Sequence, residues 1–196
     1  MDKNTDWAEF IRLTLDTPPR WYLKKALESF GNFKGHAVDL GCGSGLDTIA
    51  LVSAGWTVTA IDSTPDGFSN ILAKLPADKH SMVTCIHEKF ENTTIPAADL
   101  VYSAFSVPFC SPESFDDFWN RIVCAINPKG RFVGNLFGMK DEWNYMTDVT
   151  FITRERFDEL FESFEIEHFR EQYAEGPSVL VPTKLWHMFD VVARKV

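Results

Sequence analysis

Val38-Asp39-Leu40-Gly41-Cys42-Gly43-Ser44-Gly45-Leu46-Asp47-Thr48 is the stretch on which the fold turns. Val38 to Leu40 read as the end of a buried strand, and residues 46–54 as the first turns of a helix. Between them Gly41, Gly43 and Gly45 occupy alternate positions. A strand that passes through a glycine turn into a helix lets backbone N–H groups approach a ligand with no Cβ in the way, at the positive end of the helix. A nucleotide-like molecule suits such a place. A dinucleotide fingerprint would be G-x-G-x-x-G with a pyrophosphate on the helix N-terminus. Here Leu46 stands where its third glycine would be, and Asp39 precedes the loop. Two phosphates want N–H donors and no carboxylates, so the acids favour a ligand that brings cationic groups.

Outward from the loop the chain alternates. Residues 1–35 read as a helical segment with Trp7, Phe10, Ile11, Leu13 and Leu15 roughly on one face. Pro18-Pro19 interrupts it, and a second helix over 20–30 stops near Gly31. Strands are expected at 37–40, 57–61, 82–86, 99–103 and 131–136, with helices at 46–54, 65–75 and 112–126. Strands alternating with helices imply βαβ units and a parallel sheet, with helices on both faces through right-handed crossovers. The last third differs. A helix over 153–161, capped by Thr153, precedes strands at 164–171 and 185–194 with Gly176-Pro177 between them. Adjacent strands without an intervening helix are antiparallel, because a parallel pair needs a crossover.

The bulk numbers fit one domain. The chain has 196 residues, 45% hydrophobic and 24% charged, ordinary values for a globular chain of this length. A net charge of −9 disfavours a nucleic-acid partner, which needs a basic surface, and an anionic membrane. Cys42, Cys85, Cys110 and Cys124 are widely spaced and form no C-x-x-C pair, so neither a disulfide framework nor a metal site is expected. No apolar run approaches the ~20 residues needed to cross a bilayer, and the start Met-Asp-Lys-Asn-Thr-Asp carries no secretory leader. A cytoplasmic location is the expectation, and oligomeric state leaves no trace in the sequence.

Asp39-x-Gly41-x-Gly43-x-Gly45 resembles motif I of the class I S-adenosylmethionine-dependent methyltransferases. The reversed terminal hairpin is an independent point of likeness. Residues 185–195, Leu-Trp-His-Met-Phe-Asp-Val-Val-Ala-Arg-Lys, resemble the end of the small tellurite-resistance-type branch. The resemblance implies a single-domain, Rossmann-like, doubly wound α/β fold of seven strands in the order 3-2-1-4-5-7-6, the terminal strand antiparallel. It also implies S-adenosylmethionine as cofactor, with residues 1–35 packing over its site.

Ligands of open α/β sheets sit outside the carboxyl ends of the parallel strands, so the residues there are the candidates. For the cofactor these are Arg20, Asp39, Gly41, Cys42, Gly43, Gly45, Asp47, Asp62, Ser63, Phe90, Ser103 and Phe105. Asp62, about 20 residues past the loop, is placed to accept ribose hydroxyls, or alternatively to cap the helix beginning near Pro65. Asp39 resembles the motif I acid near the methionine end of the cofactor, and also suits a buried acid accepting backbone N–H bonds. Asp47 is either a partner of the helix dipole or a second acid toward the cofactor's ammonium. Arg20 suits the cofactor carboxylate bidentately, or a surface position at a helix start. Many family members carry an acid after the third strand that bonds the adenine amino group. Here the alignment gives Lys89, which shifts that contact toward Glu88 or the backbone near Phe90, itself either a stacking wall or core.

After the fourth strand, Ser103-Ala104-Phe105-Ser106-Val107-Pro108-Phe109-Cys110 lacks the Asn/Asp-Pro-Pro-aromatic motif of exocyclic-amine nucleic-acid enzymes. Phe109 also separates Pro108 from Cys110, unlike the cytosine-C5 enzymes. An aromatic lip for a small-molecule acceptor remains, with Phe109, Asn135, Phe137, Trp143 and Trp186 as pocket candidates. His187 is the candidate general base, a structural role being its alternative. The resemblance implies in-line methyl transfer, in which approach and alignment supply much of the rate. A non-catalytic S-adenosylmethionine-binding sensor or scaffold is the alternative, and an NAD-dependent oxidoreductase a more distant one.

Overall fold

The structure is a computed structural model that describes residues 7–16, 18, 20–179 and 181–196. The expectations for residues 1–6 and for Pro19 lie outside these. Two helices, α1 (Trp7–Leu13) and α2 (Trp21–Phe30), precede the sheet, and α2 stops at Gly31, whose φ of +57° no β-carbon favours. The alternating part follows as β1 (His36–Leu40), α3 (Leu46–Ser53), β2 (Thr57–Asp62), α4 (Asp66–Lys74), β3 (Val83–His87), β4 (Ala98–Ser103), α5 (Pro112–Ala125) and β5 (Ile126–Gly138). Then come β6 (Phe151–Ile152), α6 (Arg154–Leu160), β7 (Phe164–Gly176) and β8 (Lys184–Lys195).

All eight strands join one sheet in the order β3-β2-β1-β4-β5-β8-β7, with the two-residue β6 pairing β5 to the side. Pairs from β3 to β5 are parallel, and β8 runs antiparallel to both β5 and β7. With β6 set aside, this is the expected order with its reversed hairpin. The order turns between β1 and β4, which are adjacent in space but not in sequence. Their carboxyl ends therefore diverge into opposite crossovers and leave a crevice.

Strand alternation divides the core. Ala37, Leu100 and Val133 pack with Tyr22, Leu23, Leu51 and Ile71 on the face covered by α2, α3 and α4. Val38, Val101 and Phe132 pack with Phe118, Trp119, Ile122 and Phe157 on the face covered by α5 and α6. Each neighbouring pair along a strand thus serves two layers, as a period of two requires. On α5 the buried residues Phe115, Phe118, Trp119 and Ile122 recur at helical spacing. Thr153 caps α6 as expected, its Oγ1 accepting the Arg156 N–H at 3.1 Å.

Three lengths differ from expectation. β5 begins five residues early, because Ile126 pairs with Ala98 across a register shift before the Leu100–Arg131 pairing. β6 is too short to leave a periodic signal. The outer part of β7 carries Gln172, Tyr173, Ala174 and Glu175, all paired to β8 with little burial, so backbone pairing holds a strand there without an apolar pattern.

Candidate active site

The carboxyl ends of β1, β2, β3 and β4 open on a cleft of about 700 Å³ that continues past β5 and β8. Its floor is the glycine turn. Gly41 N–H and Cys42 N–H both donate to the Ile61 carbonyl, at 2.8 and 3.2 Å, which fastens the turn to β2. Gly41 has φ +69°, and a Cβ there would lie 2.3 Å from Ser106 Cβ. Gly43 has φ +51° but meets nothing within 4 Å, so its missing side chain leaves open space in the cleft.

Three carboxylates stand around this floor, Asp39 buried and Asp47 and Asp62 half-buried. Asp62 uses both oxygens on main-chain donors: Oδ2 accepts Gly43 N–H and Oδ1 accepts Thr64 N–H, each at 2.8 Å. It holds the turn directly, and desolvation still outweighs those bonds and raises its pKa. Asp39 accepts the Thr48 hydroxyl at 2.5 Å. Burial, with the neighbouring Asp47 charge next in weight, pushes Asp39 up to about 8. Asp47 accepts the Tyr102 hydroxyl at 2.8 Å through Oδ2, while its Oδ1 is buried with no hydrogen bond. Burial raises the Asp47 pKa, opposed by the Tyr102 bond and the Arg20 charge. Three carboxyls at one turn, each pushed toward its protonated form, and one with an unused buried oxygen, form a seat that gains from an incoming cation.

The upper wall on the β3 side is the loop of Glu88, Lys89, Phe90 and Glu91. Phe90 stacks on Phe118 with centroids 4.7 Å apart, so it is at once cleft wall and edge of the core. Arg121 of α5 fixes this loop by donating to the carbonyls of Phe90 (2.7 Å), Glu91 (3.2 Å) and Thr93.

Beyond the acids the cleft becomes aromatic. Phe105 carries φ +56°, an αL value uncommon for a bulky residue. Its N–H is held by Asn135 Oδ1 at 2.8 Å, and the Arg20 guanidinium lies 4.8 Å from its ring centroid. Phe109, Phe137, Trp143 and Trp186 continue the wall, with edge-to-face or tilted contacts between centroids 5.4–6.3 Å apart. Trp7 closes on Phe109 at 5.0 Å, and Phe10, Ile11 and Thr14 line the same side.

Most of the residues singled out in the sequence meet in this cleft. Arg20, Asp39, Gly41, Cys42, Gly43, Asp47, Asp62, Ser63, Phe90 and Phe105 line it, as do Phe109, Phe137, Trp143 and Trp186. Four do not. Gly45 packs against Ile71 of α4. Ser103 is fully buried, where its hydroxyl bonds Ser106 Oγ and accepts Val107 N–H. Asn135 acts from behind, through Phe105. His187 is a correction to the expectation of a base: it follows Trp186 on β8, so its ring projects from the opposite face of the sheet. There Nδ1 accepts Lys140 N–H at 3.0 Å, which leaves Nε2 to donate to Glu171 at 3.1 Å.

Sequence reasoning missed Trp7, Phe10, Asp148 and Val179 as lining residues, whereas Met146, expected in a loop facing the acceptor pocket, lines the cleft. The first two lay in its apolar helical stripe; the others carried no periodic signal. Cys42, Cys85, Cys110 and Cys124 are free thiols. Among the described residues, no helix is long and apolar enough to cross a membrane, and no cluster of His, Cys, Asp or Glu could hold a metal ion.

Residues 37–130, which include the glycine turn, Asp62 and the Phe90 wall, match the methyltransferase-domain family. The chain is similar in structure to TehB from Haemophilus influenzae. That likeness has a TM-score of 0.78 at 15% identity, over 97% of this chain and 67% of that one. A putative S-adenosylmethionine-dependent methyltransferase from Listeria monocytogenes aligns with a TM-score of 0.66 at 18% identity, over 89% of this chain and 96% of that one. The same score and identity hold for the 1,6-didemethyltoxoflavin-N1-methyltransferase of Burkholderia thailandensis, over 90% and 79%. That enzyme was solved with 1,6-didemethyltoxoflavin and S-adenosylhomocysteine bound. No curated protein matches the chain in sequence. The fold is that of the S-adenosylmethionine-dependent methyltransferases, the resemblance to the tellurite-resistance-type branch included.

Proposed function

We propose that the cleft binds S-adenosylmethionine on its acidic half and a small molecule on its aromatic half, and that the domain transfers the methyl group in line between them. The observation that carries this is the orphaned Asp47 Oδ1 beside Asp39 at a glycine turn open to the cleft. An unpaired buried carboxylate oxygen is costly unless a ligand completes it, and an amino-acid ammonium does so. Arg20, facing the cleft from the start of α2, takes the accompanying carboxylate. Asp62 retains lone pairs beyond its two main-chain bonds and receives ribose hydroxyls. Phe90 forms the wall for the base.

Bound S-adenosylmethionine supplies a methyl group on a positively charged sulfur, open to attack by a lone pair. The chain contributes alignment and exclusion of water. Phe105, Phe109, Phe137 and Trp143 make an apolar approach in which a reaction that spreads the sulfur's positive charge onto the acceptor is not held back by solvent. No side chain is assigned as a base, since His187 faces away from the cleft and a nucleophile with a free lone pair needs none. The small-molecule acceptor of the Burkholderia enzyme of the same fold supports an acceptor of that size. The four free thiols suit a reducing, cytoplasmic setting.

Calorimetry with S-adenosylmethionine and S-adenosylhomocysteine, followed by transfer of labelled methyl into a metabolite extract, tests the proposal. Binding of neither compound refutes it. Binding without any methylated product in the extract transfers the case to a cofactor-sensing protein.

A further inference from the structure

Behind the aromatic half of the cleft lies a side chain that the reading above does not use. Lys184, the first residue of β8, has a wholly buried side chain. Its Nζ sits 3.5 Å from the centroid of Trp143, 3.8 Å from that of Trp186 and 5.5 Å from that of Phe137. It also donates to Asp141 Oδ1. Asp141 in turn accepts Trp143 N–H through Oδ1 and His187 N–H through Oδ2, both at 3.0 Å. One carboxylate thus positions the lysine, one of the two indoles and the start of β8. Burial pulls the lysine's pKa down, and Asp141 opposes that.

Trp143, Trp186 and Phe137 are the rings that wall the cleft, whereas Lys184 is not exposed to it. Three rings around an ammonium are the arrangement by which proteins capture cationic ligands. In this chain the cation is already supplied from within. An acceptor carrying its own ammonium would meet rings whose electron density is drawn toward Nζ, and would add a like charge near it. An anionic acceptor fares no better, because the lysine is neutralised by Asp141 and screened by the indoles. Of the cations that line the cleft, Lys89 belongs to its cofactor half and Arg20, over the Phe105 ring where the two halves meet, is taken by the cofactor carboxylate, while Asp148 adds a negative charge to the lining.

We infer that the aromatic pocket selects an uncharged, apolar methyl acceptor, with Lys184 as the specificity-determining residue that fills the cation seat between Trp143 and Trp186. The inference rests on the proposed function only in taking the aromatic half as the acceptor side.

Three probes matched in ring size test it: benzyl alcohol, benzylamine (an ammonium at neutral pH) and benzoate. Each is titrated against the intact protein saturated with S-adenosylhomocysteine, with indole fluorescence and ligand-detected NMR as readouts. The neutral probe is expected to bind about tenfold tighter than either charged one, the scale of a buried cation–π contact. In K184M/D141N, which takes the positive charge out of the seat without leaving a lone buried charge, benzylamine is expected to gain about tenfold relative to benzyl alcohol, with affinity for S-adenosylhomocysteine unchanged. A merely structural role for Lys184 would lower all three probes together. The inference is overturned if wild type binds benzylamine or benzoate as well as the alcohol, if it binds none of the three, or if the folded double variant keeps the wild-type ratio. If the variant fails to fold, the wild-type ordering decides alone. Failure of S-adenosylhomocysteine itself to bind counts against the proposed function and not against this selectivity.

Discussion

Replacing Asp39 by Asn separates charge from shape at the floor of the cleft, since the amide oxygen can still accept the Thr48 hydroxyl. In the free protein Asp39 is raised from 3.8 to about 8 by burial and by the charges of Asp47 and then Asp62, with Thr48 acting in the opposite direction. At pH 7 about nine-tenths of the molecules therefore carry a proton on it. An ammonium seated beside it favours the ionised form, so cofactor binding must release that proton. The apparent affinity then scales as 1/(1 + 10^(8−pH)), which makes binding about 50-fold tighter at pH 8 than at pH 6. Calorimetry in two buffers of different ionisation enthalpy should count about 0.9 proton released per cofactor at pH 7.

The same variant has a stability signature of fixed sign. A carboxyl raised in the folded state binds a proton there that the unfolded chain has already lost between pH 3.8 and about 8. Stability thus falls as pH rises through that window, by at most about 1.4 kcal/mol per unit. Asp39→Asn abolishes this loss. It should melt above wild type at pH 9 and approach it near pH 4, while its cofactor affinity is weaker by about 10–100-fold at pH 8. Cofactor affinity that is flat from pH 6 to 8, or a variant that keeps the wild-type slope, would refute the account of the acidic seat.

Asp62→Ala should weaken S-adenosylmethionine binding by about one to two orders of magnitude in calorimetry, and lower unfolding free energy by about 1–3 kcal/mol because Gly43 and Thr64 lose their acceptor. Unchanged affinity in a folded variant would mean that Asp62 serves the turn alone. Gly43→Ala should cost only the about 1–2 kcal/mol of a left-handed backbone yet impair cofactor binding, since its methyl enters open cleft. Gly41→Ala adds a clash with Ser106 to the same strain and should unfold at distinctly lower denaturant. His187→Ala should lose about 1–3 kcal/mol of stability with its two hydrogen bonds while cofactor affinity and the pH–rate profile stay as in wild type. A lost limb of that profile would restore the imidazole to the chemistry.

The parts of the fold that sequence revealed are those whose physics is local. Glycines at 41, 43 and 45 with Asp39 announced the turn, and Thr153 announced the start of α6, because caps and tight turns bind within a few residues of themselves. The hairpin followed from the absence of any helix between two apolar runs. Partnerships across long separations left no such mark. His187 looked available beside Trp186, but alternation along β8 sends the two to opposite faces. Asn135 seemed a pocket residue, and its oxygen instead secures Phe105 in a strained conformation. Lys184 and Asp141, 43 residues apart in sequence and joined in the core, have no spacing rule to betray them.

The attachment of the loop after β3 has a bearing on how this cleft tolerates change. Arg121 grips it through three main-chain oxygens, and every residue type offers the same oxygen. With Phe90 anchored on Phe118, the side chains at 89 and 91 are thereby released from any duty in holding the wall upright. Lys89 can stand where an acid was anticipated without altering the path of the backbone that carries it. Recognition of the base is free to drift along this rim, as long as one guanidinium in the layer beneath stays in place.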